Sequence, residues 1–168
     1  MGYEYLLQTY YFPSKRHKKT EKITDIRGKT NRTWCDLFLA LSLQCAHCKE
    51  QFFKIYKAMQ KGELKNYRIK IAISPSPQEA KVIEALAATA IHESMEKAME
   101  LLATWYETQN RKLFLLSVKK NLPMEGVKKS LEKTNDTVGA LGIEGLPFVA
   151  LDGYEITPTI FWAKVELE

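Results

Sequence analysis

The sequence predicts an α/β fold: a central mixed sheet, a Cys-x-x-Cys motif at a helix N-terminus, and an all-helical insertion between the strands. Three observations carry this expectation. The apolar stretch Cys35–Leu43 runs into Cys45-Ala46-His47-Cys48, and an amphipathic segment starts at once. Tyr67–Ile73 alternates as a second strand, so strand, crossover helix and strand make a right-handed βαβ unit with parallel strands. Helical periodicity then fills residues 77–141 before a closing hairpin.

Residues 1–33 stand apart from the core. Tyr3, Tyr5, Leu6, Leu7, Tyr10, Tyr11 and Phe12 form an aromatic-rich patch ending at Pro13, and Lys15, Arg16, His17, Lys18 and Lys19 follow. Two readings stand. One is a basic, solvated tail with a short helix docked on the domain. The other is a juxtamembrane segment, with aromatics at the interface and lysines near anionic headgroups. The domain itself is expected over residues 34–168.

Within Cys35–Leu43, Leu37, Leu39, Leu41 and Leu43 share one face and Phe38 and Ala40 the other, as in a central strand covered on both sides. Gly62 suits the C-cap of the following helix. Ser76, Pro77 and Glu79 are expected to open the insertion as a capping box with proline at the first helical position. Ile83, Leu86, Ala90, Met95, Met99, Leu102 and Tyr106 recur every three or four residues to about Gln109, a pattern long enough to predict a break near His92–Ser94. That spacing puts Met95, Met99, Trp105 and Tyr106 in the core; the other reading is that they border a peptide groove. A short helix is expected over Arg111–Lys120. Another should run from about Met124 to Leu141, with Val127, Leu131, Val138 and Leu141 inward. Asp152-Gly153 between two apolar runs marks a hairpin, with Pro147 opening its first strand. Thr157–Glu168 reads as a short closing helix or strand.

Composition sets the bounds. A chain of 168 residues with 45% hydrophobic and 27% charged content can build a core without covalent staples. Residues 1–20 hold +3 of the net +5, leaving +2 elsewhere, too little for a nucleic-acid footprint. No apolar run approaches the ~18 residues of a membrane span, and the start does not resemble a secretory signal. Three cysteines, two of them in one motif, point to redox chemistry or a metal rather than a disulfide scaffold.

The motif's position decides between these. A helix N-terminus offers unpaired N–H groups and a partial positive charge, which favour a thiolate, the attacking form. Cys45 falls at the helix tip, within reach of a partner. Cys48 falls one turn in, on the face of Phe52, Ile55, Tyr56 and Met59, and should be shielded. One accessible sulfur to attack and one sheltered sulfur to resolve is what thiol–disulfide exchange requires. His47 between them would favour the Cys45 thiolate when protonated. A closed zinc site needs four N or S ligands. Beyond the motif there remain Cys35, His17 and His92, and Cys35 lies at the far end of the strand that delivers Cys45. No metal or dissociable cofactor is therefore expected, and Cys35 and His92 read as ordinary structural residues. The competing class is a non-catalytic binding or structural module, with the motif inert or part of a metal site.

The strand, Cys45-Ala46-His47-Cys48 and helix, the helical insertion, and Gly-Ile-x-Gly-Leu146-Pro147-Phe-Val-x-Leu-x-Gly together resemble a thioredoxin-like fold of the DsbA-like kind. More narrowly, with Trp105-Tyr106 and Asp152-Gly153-Tyr154-Glu155-Ile156, they resemble the thioredoxin-like domain fused to bacterial vitamin K epoxide reductase homologues. The resemblance covers about residues 34–160. It implies a protein-disulfide oxidoreductase in which a cis proline, here Pro147 with Leu146 before it, docks substrate backbone beside the motif. Pro158, in Thr157-Pro158-Thr159, is the rival for that place. The resemblance further implies protein thiols as partners, a quinone-linked membrane reductase as a possible further partner, and an extracytoplasmic setting. Leu146 stands where the family often has Thr, and Gln44 where it often has proline or an aromatic.

Overall fold

The computed structural model describes His17–Lys18 and residues 35–167. Among these, five strands form one sheet: β1 (His17–Lys18), β2 (Cys35–Leu41), β3 (Tyr67–Ile73), β4 (Phe148–Leu151) and β5 (Tyr154–Ile156), in the order β1-β5-β4-β2-β3. β2 and β3 are parallel, with Cys35 opposite Tyr67 and Leu41 opposite Ile73. β4 runs antiparallel to β2 and to β5, so the sheet is mixed. Every residue of β2 is buried, as its two apolar faces predict. Leu37, Leu39 and Leu41 join the main core with the helices, whereas Phe38 and Ala40 meet Ala72, Phe148, Ala150 and Leu141 in a smaller cluster on the opposite face.

Of the basic segment, two residues are described. The backbone of His17–Lys18 pairs in parallel with Tyr154 and Glu155. The physical reason is that β5 would otherwise end the sheet with a row of unpaired N–H and C=O groups, a template for one more strand. The helix and aromatic patch expected elsewhere in residues 1–33 lie outside the described residues.

Six α-helices accompany the described sheet. α1 (Ala46–Gln60) ends in a Schellman motif: Gly62, at φ +74°, donates to Met59 O at 3.0 Å and Glu63 to Ala58 O at 3.0 Å. α2 (Ala80–His92) and α3 (Met95–Thr108) are separated where the sequence predicts, and Ser94 Oγ caps α3 by accepting from Lys97 N–H at 3.1 Å. α4 (Arg111–Ser117) starts at the expected residue and stops three short of Lys120, while α5 (Val127–Ala140) starts three later than Met124, after Gly126 at φ +79°. Val127 and Leu141 are buried and Leu131 and Val138 half-buried; Ser130 and Thr134 are buried as well. α6 (Pro158–Glu166) settles the closing segment as a helix, capped by Thr157 Oγ1 on Ile160 N–H at 3.2 Å with Pro158 in its first turn. No described helix is long and apolar enough to cross a membrane.

Two local expectations change. The capping box at Ser76 does not form: Pro77–Glu79 makes a 3-10 turn, and Ser76 Oγ lies 3.4 Å from both Gln44 Oε1 and Gln78 Oε1. Glu79 turns instead to Arg111, whose Nε and Nη2 reach its carboxylate at 2.9 and 3.1 Å, a fork geometry that outcompetes one backbone N–H. β2 stops at Leu41 rather than Leu43, because the carbonyls of Ser42 and Leu43 accept side chains from the insertion instead of the sheet. The hairpin conforms: Asp152 at φ +46° and Gly153 at φ +89° provide the two left-handed residues of a tight two-residue turn.

Candidate active site

β2 delivers the chain to the N-terminus of α1, and the residue at that junction is Cys45. Its backbone is extended (φ −97°, ψ 121°), and its Sγ accepts the Cys48 N–H at 3.2 Å. Three other helices are capped at the equivalent position by the oxygen of Ser94, Asn110 or Thr157. Here a sulfur takes the role of the capping oxygen. The geometry that satisfies an orphan helix N–H therefore also places a donor on the half-exposed sulfur.

Cys48 is fully buried among the core residues of α1 and β2. Its Sγ accepts one backbone donor, the Ser42 N–H, at 3.4 Å. Burial pushes its thiol up to about 12, with the neighbouring Cys45 sulfur adding to the rise and the Ser42 N–H opposing it. The two sulfurs are thus unequal, one half-exposed and one sheltered, and neither is bridged.

The loop before β4 closes the site from the other side. The Leu146–Pro147 peptide is cis, and the Leu146 carbonyl lies 3.8 Å from Cys45 Sγ. Leu146 and Pro147 are half-buried. Pro158 lies in the first turn of α6. His47 is exposed on the first turn of α1. Cys35 begins β2 at the opposite end of the sheet, and His92 Nε2 meets the Glu125 carbonyl at 2.9 Å in the insertion. Among the described residues no three His, Cys, Asp or Glu side chains converge as a ligand set.

Sequence reasoning missed the residues that hold the approach to Cys45. Tyr106 Oη donates to Ser42 O at 2.8 Å, and Trp105 Nε1 and Gln109 Nε2 donate to Leu43 O at 2.9 and 3.2 Å. Trp105, Tyr106 and Met99 are indeed buried, with Met95 half-buried. The available signal was that inward Trp and Tyr carry a polar tip that needs a partner. Arg111 ties the same region to the 3-10 turn through Gln78 O at 2.7 Å. Beside Gln44, linked to it by Ser76, a largely apolar recess of about 210 Å³ opens between Pro75, Pro77, Ile83 and Leu131.

No family model and no curated protein matches the chain. Solved structures do. BdbD from Bacillus subtilis is similar over 82% of this chain and 89% of its own, at 15% identity and a TM-score of 0.60. The thiol-disulfide exchange protein alpha-DsbA2 from Wolbachia pipientis covers 83% and 84%, at 17% and 0.57. MdbA, a thiol-disulfide oxidoreductase from Actinomyces oris, covers 81% and 82%, at 17% and 0.52. The mixed sheet, the motif at the start of α1 and the all-helical insertion define a thioredoxin-like fold. Within it, the chain has the DsbA-like form.

Proposed function

We propose that this chain is a protein thiol–disulfide oxidoreductase working through Cys45-Ala46-His47-Cys48, carried by a unit over residues 34–168. The observation that carries the reading is the inequality of the two sulfurs: Cys45 Sγ is half-exposed between the Cys48 N–H and the Leu146 carbonyl, and Cys48 Sγ lies buried one turn on. The Cys45 thiolate attacks a partner disulfide, forming a Cys45–partner bond and releasing the partner's other sulfur, which takes up a proton. Cys48 then gives up its proton and attacks Cys45 Sγ, so the partner leaves reduced and the Cys45–Cys48 disulfide carries the oxidation. The reverse sequence oxidises a partner dithiol. His47 would contribute positive charge near the attacking sulfur when protonated, and Leu146 and Pro147 would dock the partner's backbone. The recess beside Gln44 favours a polypeptide partner. By the family resemblance, a quinone-linked membrane reductase would exchange electrons with the pair in an extracytoplasmic setting. No dissociable cofactor enters these steps.

The test is Cys45→Ser against wild type in insulin reduction and peptide-dithiol oxidation. The expected result is loss of turnover in the variant. A wild type without cysteine-dependent turnover in either assay overturns the reading.

A further inference from the structure

Ser42 is held on both sides. The peptide before it is fixed by the sheet, through the Ser74 N–H donating to Leu41 O at 2.7 Å. The peptide after it is fixed by the insertion, through Tyr106 Oη donating to Ser42 O at 2.8 Å. The next carbonyl, Leu43 O, is taken by Trp105 Nε1 and Gln109 Nε2. Three side chains from the end of α3 thus occupy two consecutive carbonyls, and the N–H between the two anchors of Ser42 meets Cys48 Sγ at 3.4 Å.

We infer that Tyr106, assisted by Trp105 and Gln109, is a positioning residue for the buried sulfur, fixing Ser42 so that its N–H stays on Cys48 Sγ. The inference rests on the exchange reading and adds to it the residues that govern the resolving half of the reaction. A donor N–H binds a thiolate more strongly than a thiol, so it counts most when Cys48 must give up its proton inside the core. Cys45 is the described titratable group that acts on Cys48, and the remaining influences are burial and the Ser42 N–H. The hydroxyl of Tyr106 touches neither sulfur. Its effect passes through one residue of main chain.

A buried phenol also needs a partner for stability alone, so the test must separate the two roles. In a Cys45→Ser background, the Cys48 Cβ chemical shift is followed against pH by NMR, which reads the buried Cys48 apart from Cys35 and needs no turnover. Tyr106→Phe removes the hydrogen bond to Ser42 O and is expected to leave about three- to tenfold less Cys48 thiolate at a given pH, moving the midpoint upward. Tyr67→Phe, a buried phenol at the far end of β3, is expected to leave the midpoint in place. Gln109→Ala, at an exposed position, is expected to shift it less and in the same direction, and serves if Tyr106→Phe does not fold. An unshifted midpoint in Tyr106→Phe, or in Gln109→Ala where that is the variant read, overturns the inference, as does an equal rise in Tyr67→Phe. Absence of wild-type exchange with a shifted midpoint would sink the exchange reading and not the positioning.

Discussion

At the start of β2, Asp36 and Asp152 bond each other twice through main chain and side chain: the Asp36 N–H donates to Asp152 Oδ1 at 2.9 Å, and the Asp152 N–H to Asp36 O at 2.8 Å. Arg68 Nε adds a bond to Asp36 Oδ1 at 2.8 Å, so a neighbouring strand and the hairpin turn of the sheet supply these partners. At the other end of the same strand the chain leaves the sheet. The carbonyls there are taken by Tyr106, Trp105 and Gln109 of the insertion, and one sulfur is left half-exposed at a helix cap. The first arrangement pins register and the hairpin turn. The second leaves Cys45 Sγ half-exposed between the Cys48 N–H and the Leu146 carbonyl, where the proposed exchange would take place. Under the proposed exchange function a strand is thus locked at one end and reactive at the other, the difference being whether its partners come from the sheet and its hairpin turn or from side chains of the helical insertion.

The largest effect that would sharpen this contrast comes from the reactive end. Cys48→Ala is expected to abolish turnover while leaving the first attack intact, so Cys45–partner mixed disulfides should accumulate on non-reducing gels. If Cys48→Ala turns over like wild type, the assignment of attack and resolution is wrong. At the locked end, Asp152→Ala removes an acceptor from the Asp36 N–H and puts alanine at a left-handed turn position. It should cost about 2 kcal/mol of stability by denaturant titration. Exchange rate per folded molecule should stay unchanged; an equal fall in that rate would join the two ends that the structure separates.

The effect that is smallest per step, per pH unit, is a pH dependence. In the folded reduced chain the Cys48 thiol is raised from 9.0 to about 12, so between those values the unfolded chain has lost a proton that the folded chain keeps. Stability of the reduced protein should therefore be unaffected by this group below pH 9 and fall as pH rises from 9 toward 12. The expected loss is roughly 3–5 °C of Tm per pH unit in that window. The Cys45–Cys48 disulfide form has no such thiol and should lack this slope. Parallel curves for the two redox forms would refute the burial of a neutral Cys48.

Much of this was legible in the chain itself. The alternation of Tyr67–Ile73, the two apolar faces of β2, the break at Ser94 and the Asp152-Gly153 turn are local signals, set by side-chain period and backbone conformation within a few residues. The same holds for the unequal placement of Cys45 and Cys48, because a helix fixes which residue is at its tip and which is one turn in. The cap failed to form at Ser76 because Glu79 had a stronger partner in Arg111, 32 residues away. The addition of His17–Lys18 to the sheet depended on β5 having an open edge. The hold of Tyr106 on Ser42 joins residues 64 apart, and the Leu146 carbonyl reaches Cys45 across 101. The sequence by itself determined the elements and the order of the two sulfurs, since both follow from short-range periodicity. Only the tertiary structure decided which hydrogen-bond partners surround those sulfurs, since competition between distant donors and acceptors is settled when the helical insertion packs against the sheet.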